Sequence, residues 1–181
     1  MRDLTDGGTS DAELLAGVAG GDRAAFRALH DRYRGPVRGF ALRMVEVPER
    51  ADEVANDTML AVWRGAAGFE GRSKVSTWIF GIAYRIGRRA MRRGGADREE
   101  VSADSVAELG DAGTPSPDTA LYHAEVRRAL AGLPFEFRVV VELTYYHGHS
   151  VVEAAEMTGV PPGTVKSRMH EARRRLRERL G

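Results

Sequence analysis

Residues Pro161–Leu180, PPGTVKSRMHEARRRLRERL, carry seven basic side chains and two acidic ones. Lysine and arginine can donate to the O6 and N7 acceptors of guanine, hydroxyls can bond in either sense, and a carboxylate can accept from cytosine N4. Val165, Met169, Ala172, Leu176 and Leu180 recur at spacings of four and three, so in a helix they share one face. Lys166, Ser167, His170, Glu171 and Arg174 then fall on the other. The chemistry this allows is recognition of base edges from a helix, with Arg173–Arg179 supplying phosphate contacts and a solvated end.

Two further sets are sorted by charge. Arg72–Arg93 holds seven basic residues and no acid, interleaved with Trp78 and Tyr84. Arginines of this kind track phosphates, and aromatic rings hold unstacked bases. Glu46–Asp57 holds five acids against Arg50 alone. Catalytic signatures are missing: there is no G-x-x-x-x-G-K-[ST] loop, no G-x-G-x-x-G after a strand and no H-E-x-x-H. The chain has no cysteine, which excludes disulfides, thiolate metal sites and cysteine nucleophiles, and His147-Gly-His149 is the only close histidine pair. No catalytic residue, metal or cofactor is expected.

The elements that position these sets read as helices throughout, with no period-2 strand pattern. Ser10 and Glu13 form a capping box ahead of Leu14, Leu15 and Val18, and Gly20-Gly21 breaks the helix. Asp22 caps the next, which carries Phe26, Leu29 and Tyr33; the pattern resumes after Pro36 with Val37, Phe40, Ala41 and Met44. A third stretch carries Val54, Met59, Val62 and Trp63. A fourth starts near Thr77, with Trp78, Ile79, Ile82, Ala83 and Ile86 as its stripe and Arg85, Arg88, Arg89, Arg92 and Arg93 around the remainder. Residues 94–120 shift to Gly, Ala, Ser, Asp, Glu and a Pro-Ser-Pro sequence, too poor in large aliphatics to build a core, and read as a flexible acidic linker. Beyond it, Val126, Leu130 and Leu133 make one helical face and Val139, Val140, Val141 and Leu143 another.

Ser150 and Glu153 repeat the capping box, Ala154 and Ala155 follow, Gly159 ends the short helix, and Pro161-Pro162 suits the entrance of the next. A small residue, a glycine turn and an apolar residue in the second helix are what two closely crossing helices require. The expected motif is a helix-turn-helix whose second helix enters the major groove, about 12 Å wide.

Composition bounds this reading. With 181 residues, 43% of them hydrophobic, the chain suits one ordinary domain or two small ones. Its net charge of +1 averages +4 over residues 1–93, −6 over residues 94–120 and +3 over residues 121–181. No apolar run approaches the roughly 20 residues of a membrane span, and Met1–Ser10 is polar, so a cytoplasmic protein without membrane insertion is expected.

The tract GVPPGTVKSRMHEAR resembles region 4.2 of the sigma-70 family of bacterial transcription initiation factors, in its small two-domain extracytoplasmic-function branch. ADEVANDTMLAVWRGAAGFEGRSKVSTWIFGIAYRIGRRAMRR resembles regions 2.2 to 2.4. Together the likeness covers about 130 residues. It implies an all-α chain of two small helical domains: a polar extension at 1–10, region 2 at 11–93, the linker at 94–120 and region 4 with its helix-turn-helix at 121–181. It implies binding to the clamp helices and flap of core RNA polymerase, with Asp52, Glu53, Asn56 and Asp57 at the clamp. It implies capture of the non-template single strand of the element at about minus 10. The residues in line for that are Phe69, Arg72, Lys74, Ser76, Trp78, Tyr84, Arg85, Arg88 and Arg89, with Trp78 also belonging to the apolar stripe. The duplex element at about minus 35 would be read by Thr164, Lys166, Ser167, Arg168, His170, Glu171 and Arg174.

Glu171 departs from the basic residue that many members of the family carry there, and a carboxylate facing a base would favour a donor such as cytosine N4. Family members are often held by an anti-sigma factor, and one is expected here. The rival is a helix-turn-helix regulator that binds duplex DNA without the polymerase core; it would need neither the arginine-rich helix nor the acidic face.

Overall fold

The computed structural model describes residues 8–94, 125–126 and 128–180, and among them it is helical with no strand. The first block contains α1 (Asp11–Ala19), α2 (Arg23–Val45), α3 (Pro48–Gly65), a 3₁₀ turn at Ala66–Gly68 and α4 (Val75–Gly94). The second contains the helical residues 125–126 and 128–131 (α5), α6 (Phe135–Val141) continuing as a π turn at Glu142–Tyr146, α7 (Val151–Thr158) and α8 (Pro162–Leu180). The expected linker lies almost wholly outside the described residues. Among those described, no helix is long and apolar enough to cross a membrane.

Local chemistry fixes the helix ends. Ser10 and Glu13 cap each other, with Ser10 N–H donating to Glu13 Oε2 at 2.8 Å. Asp22 accepts from the amides of Ala24 and Ala25 at 2.7 and 3.2 Å. Tyr33 and Arg32 both donate to Asp11, tying α1 to α2. Pro36 does not break the second helix, contrary to the pause in the sequence pattern: α2 runs through it. Proline denies the Arg32 carbonyl a donor. Burial of Tyr33, Val37 and Phe40, none more than 1% exposed, outweighs that loss. At the far end Glu46 stands in the left-handed region at φ 60° and donates its N–H to Leu42.

The two blocks do not stand apart. Val139, Val140, Leu143, Ala154, Ala155, Met157 and Val165 of the second join the core built by α1 to α4. Phe80 of α4 meets the ring of His147 at 4.5 Å and that of His149 at 5.2 Å, and Tyr84 stacks on Phe135 at 6.3 Å. A Cβ built on Gly81 would lie 3.7 Å from Met157 Cα, an ordinary contact distance, so α4 and α7 meet closely there. A second small cluster, Leu130, Leu133, Val141 and Ala172, holds α8 to α5 and α6.

Polar groups rim this contact. Arg138 pairs with Glu46, Lys74 Nζ lies 3.0 Å from Glu153 Oε1, and Arg43 Nε lies 3.0 Å from Glu142 Oε2. Glu142 is only 1% exposed, and neither of its carboxylate oxygens has an aligned hydrogen-bond donor. Burial therefore outweighs the pull of Arg43 and Arg138 and pushes its carboxyl up to about 7.

A carboxyl whose folded pKa is raised contributes stability below its unfolded value that is lost as pH climbs through the folded one. Relative to Glu142→Gln, which cannot ionise, the native protein should lose stability from about pH 4.5 to about pH 7 and then level off. The gap should reach roughly 3 kcal/mol at the linkage rate of about 1.4 kcal/mol per pH unit. Denaturant unfolding of both proteins across that range measures it; a gap that does not vary with pH would show that Glu142 ionises as freely folded as unfolded.

Candidate nucleic-acid interface

Three surfaces carry the expected site residues. The first is the helix-turn-helix. Ser150 N–H donates to Glu153 Oε2 at 2.7 Å and Glu153 N–H to Ser150 Oγ at 3.2 Å, completing the capping box that starts α7. Gly159 ends that helix at φ 69° and gives its N–H to Ala155. The chain re-enters helix at Pro162, where Val165, fully buried, seats α8. Lys166, Ser167, His170, Arg173 and Arg174 are exposed on α8, and Thr164, Arg168 and Glu171 are half-buried. Met169 and Leu176 are half-buried as their spacing suggests, but Leu180 is 44% exposed, since the apolar cover ends before the last turn.

Among the described residues neither Lys166 nor Arg168 has an acidic partner. The arginine run beyond is different. Arg174 donates Nε and Nη2 to the two oxygens of Glu171 at 2.9 and 2.6 Å, and Arg175 Nε donates to Glu171 Oε1 at 2.8 Å. These bonds, from Arg174 first and then Arg175, pull the Glu171 carboxyl down to about 2. Arg173 donates to the Tyr145 hydroxyl at 2.7 Å, Arg175 lies over the Phe137 ring, and Arg179 donates to the Ala129 carbonyl. The expected phosphate-binding end is thus largely committed to intramolecular contacts, and Glu171 is engaged by arginines on its own helix.

The second surface is the segment from Phe69 into α4. Phe69 packs against Trp78 with ring centroids 5.2 Å apart, and Trp78 also approaches Gly65, so both aromatics are half-buried at the edge of the core. Gly71 turns the loop at φ 70° beside the exposed Glu70–Arg72 pair. Arg85, Arg88, Arg89, Arg92 and Arg93 are exposed along α4. Ser76 and Tyr84, expected to face the strand, are instead buried at 9% and 6%. The cause is the second block: the first turn of α4 faces α7 through Thr77 and Lys74, both contacting Glu153, and Tyr84 lies under Phe135.

The third surface is α3. Glu53, Asn56 and Asp57 are exposed, while Asp52 is fixed by Arg38, whose Nε and Nη2 donate at 2.9 and 3.2 Å, with Arg34 at 3.3 Å. The Arg38 bonds hold the Asp52 carboxyl below its usual range. Leu60, 43% exposed, completes this face at the i+3, i+4 and i+7 spacing from Glu53 and was legible from that spacing alone.

The family model "Sigma-70 region 2" matches residues 29–97 and "Sigma-70, region 4" matches residues 123–176. The chain is 37% identical over 172 residues to the ECF RNA polymerase sigma factor SigM of Mycobacterium tuberculosis, covering 95% of this chain and 85% of that one. It is 34% identical over 166 residues to the ECF RNA polymerase sigma factor RpoE of Cereibacter sphaeroides, covering 88% of each. Among solved structures it resembles CnrH in complex with the cytosolic domain of CnrY, with a TM-score of 0.71 and 26% identity over 94% of this chain and 96% of that one. It also resembles the sigma factor RpoE of Bartonella quintana in complex with the anti-sigma factor NepR, with a TM-score of 0.63 and 30% identity over 80% and 89%.

The turn that sets the crossing of α7 and α8 is open to test. No atom lies within 4 Å of a Cβ built on Gly159, so its requirement is conformational rather than steric. Gly159→Ala should lower the unfolding free energy by about 1 to 2 kcal/mol, the cost of left-handed backbone for an L-residue. Gly159→Asn should lower it by less. Equal losses in a denaturant titration would mean that φ is not what the position demands.

Proposed function

The chain belongs to the sigma-70 family, in its extracytoplasmic-function group, and from that premise we propose how its surfaces divide the work of starting transcription. It is a promoter-specific initiation factor: it binds core RNA polymerase, recognises promoter DNA as duplex and as non-template single strand, and promotes opening. The bonds made in RNA belong to the polymerase; this chain supplies promoter choice and melting, in the cytoplasm at the nucleoid.

Residues 11–93 act as the domain that binds the polymerase core and melts the downstream element, and residues 121–181 as the domain that reads the upstream one. Glu53, Asn56 and Asp57 meet the clamp helices, with Leu60 as an apolar contact among them and Asp52 buttressed from behind by Arg38. Phe69 and Trp78 border the place for an extruded base, while Arg72, Lys74, Arg85, Arg88 and Arg89 follow the phosphates. Thr164, Lys166, Ser167, Arg168 and His170 read the upstream duplex from the first half of α8. By likeness to the Bartonella factor, which was solved with its anti-sigma factor NepR, an anti-sigma protein is the expected restraint.

One observation carries this division. A groove-reading helix with unneutralised Lys166 and Arg168, a ridge of exposed arginines on α4 and an acidic face on α3 lie on separate surfaces of one chain. A regulator that only binds duplex DNA would need the first alone.

Run-off transcription with purified core polymerase tests it. Arg85→Ala with Arg88→Ala should abolish opening while leaving upstream duplex binding intact. Lys166→Ala or Arg168→Ala should cost about 1 to 3 kcal/mol on the cognate duplex where the side chain meets a base; an equal loss on every sequence would mark a phosphate contact. Duplex binding without any core-dependent transcript would overturn the assignment.

A further inference from the structure

The outward face of α8 carries charge of both signs. Ser167 and Arg174 lie two turns apart on one line of the helix, opposite the buried Val165 and Ala172. Glu171 stands between them, and its carboxylate accepts from Nε and Nη2 of Arg174 and from Nε of Arg175. Glu178 accepts from Nη1 of Arg174 at 2.5 Å. Three of the five N–H donors of the Arg174 guanidinium are therefore taken by carboxylates, and one cation faces two anions. The same bonds keep Glu171 ionised throughout the neutral range.

This neutralisation is confined to one half of the helix. Lys166 and Arg168 keep their charge, whereas Arg174 and Arg175 lose much of theirs. With Arg174 50% and Glu178 58% exposed, such pairs add little to the stability of the fold. What they change is the charge presented to DNA. Attraction to a duplex of any sequence comes from cations that displace counterions from phosphates. A guanidinium already held by a carboxylate displaces fewer, and the carboxylate itself repels the phosphate. On a cognate duplex the register is set by base contacts, so the arginines beyond meet only the phosphates that this register offers. On any other duplex the helix can take the register that suits its free cations best. Neutralising them therefore weakens non-cognate binding more than cognate binding, and specificity is the ratio of the two.

We propose that Glu171 determines specificity by neutralisation and not by touching a base: its carboxylate holds Arg174 and Arg175 so that the arginine-rich half of α8 does not bind phosphates of arbitrary sequence, which leaves discrimination to residues 164–170. The proposal rests on the reading of α8 as the duplex-reading helix. Glu171 acts through its two neighbours, and Glu178, which engages Arg174 alone, contributes less.

The test uses the full chain assembled with core RNA polymerase. Wild type, Glu171→Gln and Glu178→Gln each lose at most one charge and keep a good helix former. The upstream sequence that the wild-type assembly enriches from a random duplex library serves as the cognate DNA, and a duplex of random sequence as the competitor. Glu171→Gln should bind the random duplex several-fold more tightly and the cognate duplex with a smaller gain. Its salt dependence on the random duplex should steepen by about 0.9 log unit per log unit of salt for each arginine that reaches a phosphate. Glu178→Gln should move the same way by less. Unchanged random-duplex affinity and salt slope would overturn the proposal, and a changed preference at one base pair beside them would show that Glu171 reads that base directly. An equal gain on both duplexes, or an equal gain from Glu178→Gln, would reduce Glu171 to a share of the net charge and overturn its role in specificity. If no form of the assembly enriched an upstream sequence, the duplex-reading role of α8 would fall, and the proposal with it.

Discussion

Much of the architecture follows from one constraint: the first half of α4 bears large side chains on more than one face, and a single layer cannot bury them. Ile79, Ala83 and Gly87 follow one another at four-residue steps, and Gly87 meets Met44 and Val54 so closely that a Cβ would lie 2.7 Å from Met44 Cε. Phe80 and Tyr84 lie on another side, against His147, His149 and Phe135. A helix that is apolar around most of its circumference has to be buried around most of it. The first block supplies one cover and the second block the other. The exposed arginines begin at Arg85 and lie on the side of the helix that neither block covers.

That arrangement separates two kinds of charge. Arg85, Arg88, Arg89, Lys166 and Arg168 are left for an outside partner, whereas Arg38, Arg138, Arg174 and Arg175 are spent within the chain on Asp52, Glu46 and Glu171. Exposed pairs of the second kind contribute little to stability, since water and salt screen them. Their effect is positional: Arg38 orients one acid of the α3 face, and Glu171 orders two arginines of α8. For Glu171 this changes the chemistry first read from its type. A carboxylate already accepting from two guanidinium groups reaches a base only by giving them up, so it acts more readily through Arg174 than directly.

The helices, both capping boxes, the glycine turn and the apolar seat of α8 were legible in the sequence because each depends on residues a few positions apart. Spacing also marked the exposed arginines of α4 and the acids of α3. What local spacing could not show was contact between residues some fifty or more positions apart. Phe80, Gly81 and Tyr84 look redundant to a stripe of Trp78, Ile79, Ile82 and Ala83 until a second partner is present, and Ser76 looks free. Pro36 misled for a related reason: its local cost is plain, while the burial of Tyr33, Val37 and Phe40 that outweighs it is tertiary. Glu142 had no periodic signal at all, because its place is set by the π turn.

That turn has a consequence of its own. Between Glu142 and His147 the backbone bond spans five residues instead of four, so the chain carries one residue more than an α-helix would need there. Each residue of a helix advances the azimuth by about 100°. The extra one therefore sets the direction in which everything after it leaves α6: the two histidines, the capping box and the reading helix. Substitutions within the turn alter contacts one at a time, but loss of a single codon would rotate the whole of residues 147–180 about the axis of α6. In this protein the angular relation between its two DNA surfaces is therefore sensitive to length as well as to side-chain identity, and a lineage could alter it in one step without changing any residue on either surface.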